Sequence, residues 1–375
     1  MSATDLHQVQ TPALVIDRDL FDANVSRLRA HLEPLGVTLR PHLKTLKSVP
    51  AALRIQPGLN GPVTVSTMRE AEEFAAAGAR DIIYGVGISA GKLDRVAALR
   101  DRGVDLKVIL DSLPQADLVT DRIGRTGQSL SVLIEIDTDG KRAGLAPDDD
   151  RIARIGRRLV DGGAELAGVL THAGASYGSR TDFELEAWAE RERAGAVRAS
   201  EQLLGSGLPC AIVSVGSTPT AHFGRDLTGV TEVRAGVFAT HDTMMVDAGV
   251  CSVSDIALSV LATVTSVQPE RGRIFIDAGW TALSPDRGTG RHGFGMLSLL
   301  DGTPVPDVIV SETSQEHGVL TLRQGAAGSM PALEPGSRVR ILPNHACATC
   351  AMHDQALVTA DGTAVVESWP IFRGW

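Results

Sequence analysis

Between residues 11 and 238 the chain alternates short β-branched runs with longer amphipathic stretches. This alternation restricts the fold more than any other feature of its 375 residues. The runs fall at 37–44, 63–67, 82–86, 106–110, 132–137, 166–172, 211–216 and 231–237. Between them, at 20–32, 69–77, 92–102, 113–122, 151–159 and 183–204, apolar residues recur every three or four positions, the period of a helix with one buried face. Gly78, Gly103 and Gly162 stand where three of these helices would stop. Eight strands alternating with helices predict an α/β chain, and eight is the count of a closed (β/α)8 barrel of the TIM type. After about residue 246 the texture changes. Strand-like runs at 257–267, 273–276, 308–310, 338–342, 355–359 and 364–368 are joined by turns such as Asp301-Gly302 and Asp361-Gly362, without long helical patterns. A second, mostly β domain is therefore expected. The boundaries read from the sequence are 13–245 for the barrel, and 1–12 with 246–375 for the β domain.

Composition removes several function classes. Hydrophobic residues make up 43%, too many for a disordered chain. With 45 acidic residues against 36 Lys and Arg, the net charge is −9. A nucleic-acid binder needs a basic face to displace counterions from phosphates, so that class is not expected. No run of about 18 apolar residues is present, and the N-terminal MSATDLHQVQTP lacks a basic-then-apolar leader pattern, so neither a membrane span nor a secretory leader is expected. Four cysteines are too few for a disulfide scaffold, which points to the reducing cytoplasm. The 39 glycines call for many turns, or for loops where backbone closes on a ligand.

In a barrel of this kind the chemistry lies at the C-terminal ends of the strands. The first strand ends in Arg40-Pro41-His42-Leu43-Lys44 and the fifth in Asp137-Thr138-Asp139-Gly140-Lys141-Arg142. The sixth ends in Thr171-His172-Ala173-Gly174, the seventh in Gly216-Ser217-Thr218-Pro219-Thr220 and the eighth in Arg234-Ala235-Gly236-Val237. For any one of these residues alone, simple solvation is an equal reading. Lys44 is the sharpest candidate. A lysine closing an apolar strand can be partly desolvated, which lowers its pKa and makes the amine nucleophilic toward a carbonyl; Arg40 and a protonated His42 would add to the effect. Gly216-Ser217-Thr218 and Gly236-Val237 offer backbone N–H groups with little steric cover, suited to a phosphate. A nucleophilic lysine with two phosphate cradles points to pyridoxal 5'-phosphate (PLP), whose aldehyde a lysine holds as a Schiff base.

A second constellation is Pro343-Asn344-His345-Ala346-Cys347-Ala348-Thr349-Cys350. On an extended strand His345 and Cys347 would share one face. Imidazole plus thiolate suits zinc or a related divalent ion, and two protein ligands leave positions open for substrate. Two readings compete: Cys347-x-x-Cys350 as a redox pair or half a zinc ribbon, and a buried cysteine beside a hydrogen-bonded histidine. Gln315-Glu316-His317-Gly318 is a third polar cluster, equally readable as a hairpin turn.

Taken together these residues resemble the pyridoxal-phosphate enzymes of fold type III, built on the alanine-racemase barrel, and within them the D-serine dehydratase and D-threonine aldolase family. The resemblance runs through essentially the whole chain, from Thr11-Pro12-Ala13 and Arg40-Pro41-His42-x-Lys44-Thr45 to Pro343-Asn344-His345-x-Cys347. It includes Glu135-Ile136-Asp137-Thr138-Asp139-Gly140, Leu170-Thr171-His172-Ala173-Gly174, Val213-Ser214-Val215-Gly216-Ser217-Thr218-Pro219-Thr220, Asp277-Ala278-Gly279-Trp280 and Asp286-Arg287-Gly288-Thr289. The resemblance implies that Lys44 is the Schiff-base lysine. It also implies that His172 packs on the cofactor ring, that Arg142 reaches the phenolic oxygen and that Arg234 lies near the pyridine nitrogen. Tyr177 would border the pocket. Gly236 and Val237 N–H groups, with the Gly216-Ser217-Thr218 turn, would take the phosphate. His345 and Cys347 would bind zinc, manganese or cobalt. The aldolases of the family more often carry a carboxylate where Cys347 stands, which favours a dehydratase. Cys350 departs from the family pattern, which has a small non-ligand residue there.

The implied activity is that of a lyase: a metal-assisted dehydratase (ammonia-lyase) converting a 3-hydroxy-D-amino acid, with D-threo-3-hydroxyaspartate the first choice, to a 2-oxo acid and ammonia. D-Threonine or 3-hydroxyaspartate aldolase and D-serine dehydratase are the alternatives. A non-catalytic PLP carrier would have a single barrel, and a racemase needs no metal. Arg287, Arg291 and His292 are candidates to meet a substrate β-carboxylate, the arginines by forked hydrogen bonds. Gln315 and His317 are further candidates. A homodimer, paired head to tail, is implied by the resemblance alone.

Overall fold

The computed structural model describes residues 4–360 and 362–375, so the aspartate of the expected Asp361-Gly362 turn lies outside the described residues. The chain divides into two compact units. One comprises Arg27–Lys44, Ala52–Gly236 and Gly374–Trp375; the other comprises the residues up to Ser26, Thr45–Ala51 and Val237–Arg373.

The first unit is the expected barrel. Its eight parallel strands are Thr38–Pro41, Val63–Val65, Asp81–Gly87, Asp105–Leu110, Ser131–Ile136, Glu165–Thr171, Ile212–Val215 and Glu232–Ala235. Each pairs with its neighbour in the chain from the second to the eighth, and the eighth pairs with the first. Between the first and second strands the closure is a single parallel bridge, His42 to Thr64. Helices return the chain between strands as the apolar period requires. The longest, Asp182–Gly205, starts at a capping box in which the Thr181 hydroxyl accepts the Glu184 N–H and Glu184 accepts the Thr181 N–H. Helices Val49–Ile55 and Thr218–Phe223 escape the periodicity reading because each spans barely two turns.

Strand alternation fills the barrel interior in layers. Ile83, Ile109, Leu133, Ala167 and Leu170 form an apolar layer, with Ile212 packed against it. A second interior layer is charged. Arg40, 1% exposed, places Nε 2.7 Å from Glu232 Oε1 and Nη1 2.9 Å from Asp81 Oδ1, and also donates to Val63 O at 3.1 Å. Lys107 pairs with the same Asp81 at 2.9 Å. Arg40 is thus engaged inside the barrel rather than serving as a free charge beside Lys44.

The second unit is built on a ten-stranded sheet. Leu258–Gln268, Arg273–Ile276, Gly318–Leu322, Pro304–Thr313, Met296–Leu299 and Arg338–Leu342 run antiparallel and close on themselves, since Arg338–Leu342 pairs with both Met296–Leu299 and Leu258–Gln268. The barrel boundary expected at residue 13 is corrected here. Ala13–Asp17 belongs to this sheet, between Leu258–Gln268 and Gln355–Thr359. Its Leu14, Val15 and Ile16 are all buried, which needs cover on both faces of the strand.

The Arg40 layer yields a stability prediction. Arg40→Met removes the guanidinium paired with the buried Glu232 carboxylate and should destabilise the protein by about 3–5 kcal/mol. Denaturant unfolding followed by circular dichroism measures this, and adding Glu232→Gln should recover part of the loss.

Candidate active site

The mouth of the barrel collects the strand-end residues. Lys44 lies half-buried in the turn after the first strand. The imidazole of His172, at the end of the sixth strand, donates Nδ1–H to Gly216 O at 2.9 Å, which leaves its buried Nε2 as an unpartnered lone pair. Burial, then the positive charges of Arg142, Lys44 and Arg234, hold His172 down at about 3. Burial and the Lys44 charge likewise push His42 well below the histidine range; its Nε2 lies 3.2 Å from Ser66 Oγ. Both imidazoles are therefore neutral, and the cationic character of the mouth resides in Lys44, Arg142 and Arg234. Arg234 is buried, donates to Ser214 Oγ at 2.8 Å and to Thr171 O, and is lowered by burial only to about 10, so it stays charged.

The remaining mouth residues sit on loops. Arg142 is exposed on the loop after the fifth strand, which is docked by Asp139 accepting the Ala175 N–H at 2.6 Å. The ring of Tyr177, in the turn Gly174–Gly178, is centred 6.1 Å from that of His172. Ser217 caps the short helix Thr218–Phe223, and Gly236 N–H donates to Thr218 Oγ1 at 3.3 Å. Gly236 and Val237 follow the eighth strand directly. Gly216 has a further reason to be glycine. Its φ is +130°, and a Cβ there would lie 2.1 Å from Arg234 O.

One mouth residue escaped the sequence reading. Glu135 projects from the fifth strand on the same face as Leu133, and burial together with the Asp111 charge raises it to about 7, against the opposing effects of Arg234 and Arg142. The alternation of that strand was the available signal.

The His345–Cys347 pair lies in the second unit, though not on a strand. His345 has extended backbone and caps the short helix Ala346–Cys350, with Cys347 in its first turn. The two side chains still meet. A hydrogen bond from His345 to Cys347, then one to Asp286, raises His345 to about 9. Asp286 Oδ2 accepts from His345 Nδ1 at 2.7 Å, which fixes the ring and leaves Nε2 on the Cys347 side. Asp242 accepts the Ala346 N–H at 2.9 Å, and the Thr45 hydroxyl lies 3.3 Å from Cys347 Sγ. Asp286 and Asp242 were not foreseen. No group of three or more His, Cys, Asp or Glu side chains among the described residues is arranged to hold a metal. The donor chemistry of the pair nevertheless fits a borderline cation: one imidazole oriented by a carboxylate and one thiol. Cys350 is buried beside Cys347, and burial pushes its thiol well above the usual range.

The other candidates have local partners. Arg291 Nη1 is 3.6 Å from Asp247 Oδ1, which also takes the His292 ring at 3.1 Å. The Arg287 guanidinium lies 5.2 Å from the centre of the Phe294 ring. Gln315 and His317 occupy the exposed hairpin turn between strands Pro304–Thr313 and Gly318–Leu322, closed by the Ser314 N–H donating to His317 O at 2.8 Å.

A barrel with a lysine and neutral histidine at its mouth, carried with a β unit holding a histidine–cysteine pair, defines a class, and comparison with known proteins agrees. Residues 16–243 match the family model described as Alanine racemase, N-terminal domain, and residues 257–359 match Putative serine dehydratase domain. The chain belongs to this alanine-racemase-type family. Among its relatives, the chain is 48% identical to D-threo-3-hydroxyaspartate dehydratase of Delftia sp. (strain HT23), covering 98% of both chains. The solved structure of that enzyme superposes with a TM-score of 0.95 at 47% identity, covering 99% of this chain and 100% of the other. A cysteine-to-alanine mutant of D-threo-3-hydroxyaspartate dehydratase, solved in the metal-free form, gives 0.95 at 46% identity with the same coverage. D-threonine aldolase from Filomicrobium marinum gives 0.83 at 26% identity, covering 98% of this chain and 97% of the other.

The electrostatics of the mouth yield a pH prediction. His172 has an ordinary value of 6.5 and a folded value of about 3, so its neutral form contributes stability that is full above pH 6.5 and lost as pH falls toward 3. The unfolding midpoint of the cofactor-free protein should fall between about pH 6.5 and 5, and fall less steeply in His172→Asn.

Proposed function

We propose that the protein is a PLP- and divalent-metal-dependent dehydratase that converts D-threo-3-hydroxyaspartate to oxaloacetate and ammonia. The observation that carries this reading is the His345–Cys347 pair oriented by Asp286, in a chain whose barrel mouth presents Lys44. The similarity to D-threo-3-hydroxyaspartate dehydratase over nearly the whole chain supports the choice of substrate.

The protein's own groups divide the work. Lys44 Nζ would hold the cofactor and is the amine that would take the α-proton of the substrate. His172, neutral and tied to Gly216, offers a flat uncharged face to an aromatic ring. Arg142 pairs with the phenolic oxygen. Arg234, which stays charged and carries no hydrogen-bond acceptor, would face the pyridine nitrogen. Gly236 and Val237, with Gly216, Ser217 and Thr218, hold the phosphate, and Tyr177 lines the pocket. When bound, PLP supplies an electron sink for the carbanion left at the α-carbon. His345 and Cys347 would hold a divalent cation, which would supply Lewis acidity toward the β-hydroxyl, and the thiolate favours zinc over manganese. Arg287 and Arg291 would meet the β-carboxylate, Arg291 only after leaving Asp247.

A homodimer is proposed from the resemblance to head-to-tail barrel-plus-β enzymes. A cytoplasmic setting fits four cysteines that form no disulfide. No helix among the described residues is long and apolar enough to cross a membrane.

One assay tests the reaction. Incubation with D-threo-3-hydroxyaspartate should release oxaloacetate and ammonia, and a chelator should abolish this. Glycine and glyoxylate as products would instead make the protein an aldolase. The Lys44→Ala protein should lack the visible absorbance of bound cofactor. Asp286→Asn, which loosens His345, should weaken metal affinity by about 10–100-fold in a competition titration.

A further inference from the structure

Behind the mouth lies a buried carboxylate with no part in the function proposed above. Glu192 sits in the middle of helix Asp182–Gly205 and is 1% exposed. Its Oε1 accepts the Ala173 N–H at 2.7 Å, and its Oε2 accepts the Thr220 hydroxyl at 2.6 Å. From Thr220 the contacts continue through buried hydroxyls, to Ser217 Oγ at 3.0 Å and on to Ser176 Oγ at 2.9 Å. The Ser176 hydroxyl donates to Ala173 O at 2.7 Å, which closes the loop on the residue where it began.

The two segments joined in this way are the ones assigned to the cofactor. Ala173 follows His172, and Thr220 and Ser217 belong to the turn that starts at Gly216. His172 Nδ1 and Gly216 O, 2.9 Å apart, tie the same two segments on the mouth side. A fully buried carboxylate is costly and persists where its oxygens are satisfied; filling space alone would favour an apolar residue at this position. Glu192 meets that condition with N–H and O–H donors from two loops; burial raises its carboxyl, and the bonds from Thr220 and Ala173, then the Arg234 charge, oppose that rise.

We propose that Glu192 is a positioning residue for the cofactor phosphate. It sets the Gly216–Thr218 turn against the His172 loop without touching the cofactor. The inference rests on the PLP reading above, and its test separates the two. Cofactor-free protein is titrated with PLP and, separately, with pyridoxal, which lacks the phosphate, and the visible band of the bound form is followed. Glu192→Ala leaves the Ala173 N–H and the Thr220 hydroxyl without their acceptor. It should weaken PLP by about 10–100-fold, the range for a buried hydrogen bond to a charged group, while leaving pyridoxal unchanged. Glu192→Gln keeps an oxygen for Ala173 and offers its amide to Thr220 Oγ, and should restore most of the PLP affinity. Thr220→Val, nearly isosteric, cuts the link at its other end and should lower the ratio of PLP to pyridoxal affinity even if Glu192→Ala does not fold. Equal losses of PLP and pyridoxal, or an unchanged ratio in Thr220→Val, overturn the inference while leaving the cofactor reading intact. A wild-type protein that binds neither ligand overturns both.

Discussion

The barrel closes at its weakest seam through one buried guanidinium. Seven of the eight junctions between neighbouring strands are hydrogen-bonded ladders, but the first and second strands share only the His42–Thr64 bridge. Arg40 spans that gap. From the first strand it reaches Val63 O on the second, Asp81 on the third and Glu232 on the eighth, so one side chain links four strands. A parallel ring with an open seam leaves N–H and C=O groups along that seam without ladder partners. The fork of five donors on an arginine supplies directional bonds that a lysine does not. The turn bearing Lys44 follows this strand directly, so the seam also fixes the start of the mouth.

Much of the architecture is readable from local pattern because the forces that set it are local. β-Branched runs between helical periods announce the eight parallel strands, and their ends announce Lys44, His172, Arg234 and the glycine turns. In the second unit, Met296–Leu299 and Gly318–Leu322 are short and carry no clear alternation; their strand character comes from neighbours that close the sheet. Ala13–Asp17 falls inside the barrel range read from the sequence, yet its partners are Leu258–Leu261 and Ala356–Thr359, about 240 and 340 residues away, a distance no local pattern spans. Alternation on a strand would put His345 and Cys347 on one face. They meet instead at a helix start, because Asp242 takes the Ala346 N–H and turns the chain there.

The supporting residues were less legible, for two different reasons. Asp286 is 59 residues from His345, and no local period relates them. Glu192, by contrast, left a trace. The buried positions Leu185, Ala189, Glu192, Ala196, Ala199 and Leu203 follow the three-four spacing of an apolar stripe, with one carboxylate standing in it. Amid the charged run around residue 190 that carboxylate resembles a solvated one. A charged residue on the buried stripe of a helix is the informative exception.

The electrostatics of the mouth reconcile an acidic chain with anionic ligands. The chain as a whole, at −9, repels a phosphate or a dicarboxylate. At the mouth, His42 and His172 are held neutral by burial and by their neighbours, so they add no charge of their own. Lys44, Arg142 and Arg234 remain as the cations, and Arg234 keeps its charge despite complete burial because Glu192 and Glu232 lie near it. Attraction of this kind is local. It decays over about 10 Å at ordinary ionic strength, so it selects ligands that have already entered rather than steering them from afar. A neutral His172 adds no fourth cation beside Lys44, Arg142 and Arg234.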